Sequence, residues 1–465
     1  MPARAARPRP PESNVPKSVS LPIVDKPVEI DLGGACAPDS TAAVGDIFAE
    51  AGPPALEAKH DFAAKFRQQA VLDRLKDYVR RQARLRRENL EHEAVDWHEV
   101  LPDQAPVSIN LDITTACNYA CDHCVDKHIL NQPIKYDQQT LLNSLTTLAE
   151  RGLKSVIVIG GGEPTVYPHF SETVRHMKSL GLQVSVVSNG SGNMKIVEIA
   201  DCLEAGDWVR LSLDSAYDDT FTAMHKPKRP ITLDQICAPV PGIKAINDTF
   251  DFGYSFIITW KGATINDSAI VENLEEIVPA AERARKFGFD YISFKPFLTR
   301  APENNAEIVD LDASRAHFAE TMERIRGHIG RARQLETDRF KVLESTNLRA
   351  MEGGGQELYK RQPQTCHMQY FRQVLSPLGI YNCPVYRNQP HGRIGDKEGY
   401  ADAGRFADSM ASTARLIQTF DASHQCREVT CLYHHVNWWI EDLIANEHKL
   451  DDLAADWTRE ADFFF

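Results

Sequence analysis

Between residues 107 and 296, short β-rich runs alternate with helix-length amphipathic stretches, and that alternation leaves few folds open to the chain. The runs are "VSINLDIT" (107–114), "SVIVIG" (155–160), "QVSVVS" (183–188), "WVRLSL" (208–213), "FGYSFIIT" (252–259) and "YISFKP" (291–296). Segments such as "TLLNSLTTLAERG" and "NLEEIVPAAERARKFG" separate them. Strands read as apolar on both faces and joined by helices form right-handed βαβ units in a parallel sheet. Six such units predict an α/β fold over 106–300, either open or a partial (β/α)6 TIM-like barrel. Active groups are then expected at the C-terminal ends of the strands.

The flanks read differently. Residues 1–54, rich in Pro, Ala and Gly, are expected to be a flexible leader. Over 55–105 the apolar spacing of Leu56, Phe62, Phe66, Val71, Leu75 and Val79 predicts a helical N-terminal extension. Residues 301–361 read as a helical connector broken at "EGGGQ" (352–356), and 446–465 as an acidic helix-like tail ending in three phenylalanines. The formal charge of −13 over 465 residues argues against a general nucleic-acid binder. The one basic run, "RRQARLRREN" (80–89), reads as a solvated helix face. No segment approaches ~20 uninterrupted apolar residues, and the N-terminus lacks an apolar targeting core, so no membrane contact and a cytoplasmic location are expected. Thiols stay reduced there, and ten cysteines then point to metal or catalysis rather than to disulfides.

Three of them crowd the loop after the first strand. "DITTACNYACDHCVDKHIL" (112–130) carries Cys117, Cys121 and Cys124, a C-x3-C-x2-C wrap. Zinc prefers a closed four-ligand set built from two ligand pairs. His123 and His128 are near, but His123 sits between two of the cysteines. Three thiolates on a 4Fe–4S cube leave one iron open to an outside ligand, and a zinc loop is the competing reading. One βα unit later comes "VIVIGGGEPTVYP" (156–168), whose glycines allow backbone to approach a ligand and whose Glu163 is a candidate acceptor for an ammonium group.

The cysteine loop, "GGEP", "SNG" (188–190) and "RLSLDS" (210–215) together resemble the radical S-adenosylmethionine (SAM) superfamily over about 106–300. The resemblance implies that Cys117, Cys121 and Cys124 bind a 4Fe–4S cluster whose open iron takes SAM. It implies that Gly161, Gly162 and Glu163 hold the methionine amino group, and that Ser188, Asn189 and Ser212 meet the ribose or methionine carboxylate. His123 stands where the family usually has an aromatic residue. Asp214 is a further candidate for ribose or substrate, and His225, Lys226 or Lys228 for the SAM carboxylate. The family's chemistry is reductive cleavage of SAM to a 5′-deoxyadenosyl radical that abstracts a hydrogen atom, with an electron donor such as flavodoxin or ferredoxin.

Cys366, Cys383, Cys426 and Cys431 lie in 362–445, which is similar to the auxiliary-cluster modules called SPASM or twitch. Two ligands on a β-hairpin, with Gly379 at its turn, and two on a later helical turn would close a second 4Fe–4S cluster. A four-cysteine zinc site is the competing reading. His434 and His435 adjoin Cys431 and are expected to pack that centre. Cys202 reads as core. Cys237 is a candidate hydrogen-atom donor or a buried structural thiol, and Lys295, at the end of the sixth strand, a candidate base or substrate contact or a surface residue. The expected substrate is a small polar metabolite such as a sugar or aminocyclitol, undergoing dehydrogenation, epimerisation or rearrangement. Modification of a ribosomal peptide, and a non-catalytic iron–sulfur or zinc protein, are the other two readings.

Overall fold

The computed structural model describes residues 62–89, 96–265, 268–300, 307–308, 317–352, 356–456 and 461–465. The expected leader, and parts of the extension, connector and tail, lie outside these residues. Each of the six expected runs is a strand: β1 (Ser108–Leu111), β2 (Ser155–Val158), β3 (Gln183–Ser188), β4 (Trp208–Ser212), β5 (Asp251–Ile258) and β6 (Tyr291–Pro296). They pair in parallel and in chain order.

Four more strands extend this sheet at both edges. β7 (Lys341–Glu344) adds in parallel to β6, inside a connector expected to be helical up to its break at 352–356. Its four residues, "KVLE", are too few to stand out against the helices that flank them. β8 (Arg372–Ser376) pairs in parallel with β1, and β9 (Gly379–Tyr381) and β10 (Arg393–Gly395) follow antiparallel. The order is β7-β6-β5-β4-β3-β2-β1-β8-β9-β10, an open sheet that crosses the boundary expected at 361/362 without a break.

The two faces of the sheet differ, which corrects the expectation of strands apolar on both sides. Val156, Val158, Val184, Val186, Val209, Leu211, Phe252, Tyr254, Phe256, Ile292 and Phe294 are buried. Phe252 and Tyr254 stack edge-on against Phe289, just beyond a helix of the outer layer. The intervening residues face the concave side. Across the registers these run Asn110–Ile157–Ser185–Trp208, Arg210–Gly253–Tyr291, Ser212–Ser255–Ser293 and Ile257–Lys295. The helices therefore cover an aliphatic and aromatic face, and the enclosed face is rich in serine.

Helix α1 (Gln69–Glu88) buries Val71, Leu75 and Val79 as their spacing predicts. Its basic run is engaged by carboxylates, Arg81 with Asp77, Arg84 with Glu99, Arg86 with Glu441 and Arg87 with Glu447.

The end of the chain has a definite place. Residues 447–450 form a single 3-10 turn and 461–465 are extended, so the described part of the tail is not helical beyond that turn. Residues 461–464 cross the N-terminal ends of the strands. Gln183 Nε2 donates to the Ala461 carbonyl (2.7 Å), Ser155 Oγ to the Phe463 carbonyl (2.6 Å), and Phe464 packs edge-on to Trp208 at 5.6 Å. Lys65, buried, binds Asp462 at 3.0 Å and the Phe464 carbonyl. The phenylalanine tail thus closes the end of the barrel opposite the cysteine loop. Phe464→Ala is expected to lower stability by about 3 kcal/mol, read as an earlier chemical-denaturation midpoint.

Candidate active site

The cysteine loop leaves β1 at its C-terminal end and is held from three neighbouring strand ends. From β2, the Glu163 amide donates to the Ala116 carbonyl at 2.9 Å. From β3, Asn189 Nδ2 donates to Asn118 Oδ1 at 2.9 Å, while Asn118 Nδ2 donates to Ser191 Oγ at 2.8 Å. From beyond β4, the carbonyls of Met224 and His225 accept the amides of Asp122 and Ala120. Inside the loop, Asn131 Oδ1 accepts the Cys117 amide at 3.1 Å. The thiols of Cys117, Cys121 and Cys124 lie close enough to act on one another. Burial, then the two neighbouring thiols, raises the pKa of Cys121 well above its ordinary value.

The glycines after β2 are required by this contact. Gly161 has φ +68°, a region that side chains disfavour. A Cβ on Gly162 would lie 2.2 Å from the Ala116 carbonyl oxygen. Glu163, 3% exposed, accepts four hydrogen bonds: Oε1 from the Thr165 amide (3.0 Å), Thr165 Oγ1 (2.6 Å) and Ser188 Oγ (2.7 Å), and Oε2 from the Asn189 amide (2.7 Å). Burial pushes its carboxyl above the usual range, against the pull of these donors. Oε2 keeps room for a further donor. Ser188 is spent, since it also accepts the Gly190 amide at 3.0 Å. Asn189 is occupied too, by Asn118 and Ser191.

At the end of β4, Asp214 adopts φ +52° and its buried carboxylate accepts the Ile257 amide at 2.7 Å. Oδ2 lies 3.2 Å from His123 Nε2 and 3.3 Å from His225 Nε2. Burial alone would raise its pKa, but the hydrogen bonds from the two imidazoles hold the carboxyl well below the usual carboxylate range. His225 closes helix α2 (Asp218–His225), and its Nδ1 lies 3.2 Å from Cys121 Sγ. Burial lowers its pKa and favours the neutral ring. With Nε2 turned to Asp214 and the Leu213 carbonyl (3.1 Å), the thiol of Cys121 donates to Nδ1. The three basic candidates beyond β4 separate: His225 touches a thiol, Lys226 pairs with Asp122, and Lys228 donates to the Cys117 carbonyl at 2.7 Å.

Three further candidates divide between the two sides of the sheet. Ser212 and Lys295 stand on the concave face by register, beneath the cysteine loop. Cys237 does not. It ends the short helix Leu233–Cys237 and is fully buried among Tyr254, Arg283 and Asp234, on the helix side of β5. Burial pushes its thiol up to about 12. The sheet separates Cys237 from the enclosed space, which removes it as a hydrogen-atom donor to anything bound there. Cys202 donates to the Ile199 carbonyl at 3.1 Å and packs at the core margin, as expected.

The four C-terminal cysteines meet although 65 residues separate the first from the last (431 − 366). Burial raises the pKa of Cys431 most, and Cys426, Cys366 and Cys383 each raise it further. Polar groups face the sulfurs: Asn437 Nδ2 donates toward Cys366 Sγ at 3.8 Å, and the Tyr386 hydroxyl, which donates to the Gln425 carbonyl at 2.7 Å, lies 3.6 Å from Cys426 Sγ. His434 and His435 sit beside Tyr359, and burial lowers His434 to about 4. Gly379 is at the β8–β9 turn with φ +141°. All described cysteines are free thiols. Among the described residues, the set of three or more candidate ligand atoms within 4.8 Å of one another is Cys121, His123 and His225, so the C-terminal sulfurs form no such tight group.

One feature of the site was not anticipated. Four residues past Cys383, Arg387 reaches into the barrel and pairs with Asp112 at the end of β1 (2.7 Å) and with Asp126, two residues past Cys124. Asp126 Oδ2 also accepts the Gly161 amide at 3.2 Å. Burial, opposed by Arg387, raises Asp112 to about 7.

Residues 111–272 match the family model described as the radical SAM superfamily. Residues 111–272 thus carry a radical SAM domain. Over 110 residues it is 36% identical to an S-adenosylmethionine-dependent nucleotide dehydratase of Thermoplasmatales archaeon (strain ISO4-H5), covering 23% of this chain and 38% of that one. Over 225 residues it is 27% identical to an enzyme of the same name from Flammeovirga pacifica, covering 47% and 71%. Mycofactocin maturase MftC of Mycobacterium tuberculosis (strain H37Rv) is 35% identical over 115 residues, 24% of this chain and 28% of that one. Among solved structures, SuiB of Streptococcus suis aligns with a TM-score of 0.48 at 14% identity, covering 70% of this chain and 68% of the other. The chain thus spans little more than a third of the first of these curated relatives.

The residues available to hold cofactors are two sets of half-buried thiols, a trio at the strand ends and a quartet beside β8. The glycine contact that positions the trio is open to test. Gly162→Ala forces the Ala116 carbonyl to move and is expected to cost about 1–3 kcal/mol. Lower thermal stability should come with faster reaction of Cys117, Cys121 and Cys124 with a thiol reagent under native conditions.

Proposed function

We propose that this radical SAM enzyme holds two 4Fe–4S clusters, one on Cys117, Cys121 and Cys124 and one on Cys366, Cys383, Cys426 and Cys431, and acts on a small polar metabolite. Bound SAM and a reduced cluster supply a 5′-deoxyadenosyl radical, which abstracts a hydrogen atom from the substrate. The chain's own residues then have three tasks. Gly161, Gly162 and the free capacity of Glu163 Oε2 receive the amino group of SAM beside the thiol trio. Ser212 lines the space below, and Lys295 is a contact for the substrate. The Asn437 donor favours a thiolate at Cys366, and four thiolates suit a fully ligated 4Fe–4S cluster.

The polar concave face, closed below by residues 461–464, carries the substrate assignment. A serine-rich interior suits a molecule with many hydroxyl or phosphate groups, and the word nucleotide in the names of two relatives agrees with it. Among the described residues, 62–105 form helices and turns without a strand that a peptide would extend. With Cys237 outside the enclosed space, we favour dehydrogenation or rearrangement over redox-neutral epimerisation. The second cluster suits the acceptance of an electron during net oxidation, and a flavodoxin- or ferredoxin-type protein is the proposed electron donor. No described helix is long and apolar enough to cross a membrane. Modification of a ribosomal peptide is the second reading, favoured by the similarity to mycofactocin maturase MftC over 115 residues.

After anaerobic reconstitution about eight irons per chain are expected, with release of 5′-deoxyadenosine on reduction. A Cys366→Ala/Cys383→Ala variant should retain about four irons and still release 5′-deoxyadenosine. Bound zinc in place of iron, with SAM left intact, would overturn the proposal. A panel of sugars, aminocyclitols and nucleotides set against synthetic peptides separates the two substrate classes, by which of them stimulates SAM cleavage.

A further inference from the structure

The concave face contains polar groups that neither set of thiols engages. Asn110 is 4% exposed and Ser185 is fully buried, yet Asn110 Oδ1 and Ser185 Oγ have no hydrogen-bond partner among the described residues. Neither does Nε of Arg210. The registers place the three on one face. Asn110 pairs with Ile157 and Ile157 with Ser185, while Ser185 pairs with Trp208, two residues before Arg210 on β4. The Arg210 guanidinium lies over the Trp208 ring, 5.0 Å from its centre. Trp208 in turn rests on Phe464 of the tail that closes the barrel.

No carboxylate pairs with Arg210 among the described residues. Asp214, the carboxylate that acts on it from the same strand, is committed to His123, His225 and the Ile257 amide. Tyr291, across Gly253, is the other group that acts on it. Arg210 is half-buried with its Nε enclosed, an arginine does not shed its proton in a protein, and a partly desolvated charge without a counter-ion is unfavourable. Water can satisfy Asn110 and Ser185 but cannot neutralise a guanidinium. The side chain that can is an oxyanion brought by a ligand, which the planar fork of arginine grips through two parallel hydrogen bonds.

We infer that Arg210, Asn110 and Ser185 form a subsite for an oxyanion of the substrate, a phosphate or a carboxylate, at the end of the molecule remote from the reacting carbon. The inference rests on the reading of the enclosed space as the substrate chamber. Arg210 lies four residues before Asp214, roughly 13 Å down the strand, and the tail blocks approach from below. A substrate anchored there must enter past the cysteine loop and extend back toward it. Its length is therefore that of a sugar phosphate or a nucleotide rather than of a single small acid.

The test uses the full reconstituted chain with SAM present. Thermal unfolding and calorimetric titration are followed with inorganic phosphate, pyrophosphate, succinate and each of the four common ribonucleoside triphosphates. Saturable stabilisation of the wild type by at least one of them is expected. Phosphate-bearing probes acting without succinate assign a phosphate, and the converse a carboxylate. Arg210→Gln should bind the effective probe roughly 10- to 100-fold more weakly, with Arg210→Lys between, and Ser185→Ala should weaken it several-fold.

Without ligand, Arg210→Gln should melt at or above the wild-type temperature, because an unpaired, half-buried charge is gone. The inference is overturned if no probe stabilises the wild type, or if the Arg210 and Ser185 variants bind as the wild type does. A ligand-free Arg210→Gln protein that melts far below the wild type also overturns it, since Arg210 is then structural. These readouts do not depend on turnover. Failure of the wild type to cleave SAM would sink the radical reading and leave the binding result standing, and the reverse outcome would do the opposite.

Discussion

The arrangement of both sets of thiols depends on one buried ion pair network, Arg387 between Asp112 and Asp126. Arg387 follows Cys383 by four residues, and Asp126 follows Cys124 by two, so a single guanidinium spans the two loops. Removing one partner of such a pair leaves a buried charge uncompensated, which typically costs about 3–5 kcal/mol. A pair of this kind is weak evidence for stability, but it specifies geometry well. It forms where β8 joins β1, and it also touches the glycine turn through the bond from the Gly161 amide to Asp126. The C-terminal segment is thereby fixed to the barrel at the same point as the cysteine loop.

Around that joint, the strand ends act as a frame with each member bound to the next. Glu163 ties β2 to β3, Asn189 ties β3 to the cysteine loop, and Asp214 ties β4 to β5 while orienting His225 toward Cys121. Parallel strands make this possible because their C-terminal ends all lie on one side. The opposite side is free to be sealed, and residues 461–464 do so with backbone carbonyls and aromatic rings. One end of the barrel is polar and reactive in character; the other is a packed stopper.

How much of this the sequence disclosed follows from the range of each interaction. β1 to β6 were legible because β-branched and aromatic residues cluster in them, and because glycines and helix-length gaps bound them. β7 was hidden, since "KVLE" at a sheet edge carries no such density. The cysteine trio, the glycine turn and the four later thiols were legible from spacing. The burial of Ser188 and Asp214 by their neighbours was not, because a motif names residue types and not which lone pairs are already taken. The two readings of Cys237, hydrogen-atom donor or buried structural thiol, stayed open for the same reason. A thiol on the outer side of a strand and one on the inner side look alike in sequence when the helix that carries them is five residues long. Arg387 was missed because its partners lie more than 250 residues away, beyond any local pattern.

The alternation in "WVRLSL" carries a signal of its own. Val209 and Leu211 are buried against the helices, while Arg210 and Ser212 occupy the other face. A charged residue at an alternate position of a central strand says that the strand separates two environments, because a guanidinium is not placed among aliphatic side chains without a counter-ion. The same asymmetry recurs in Ser185, Ser255 and Ser293, each flanked in sequence by apolar neighbours. A barrel filled with branched apolar side chains would be a solid core. Serines leave volume and hydrogen-bonding capacity, so this interior is built to receive a polar guest, and the position of its arginine bears on which end of that guest goes in first.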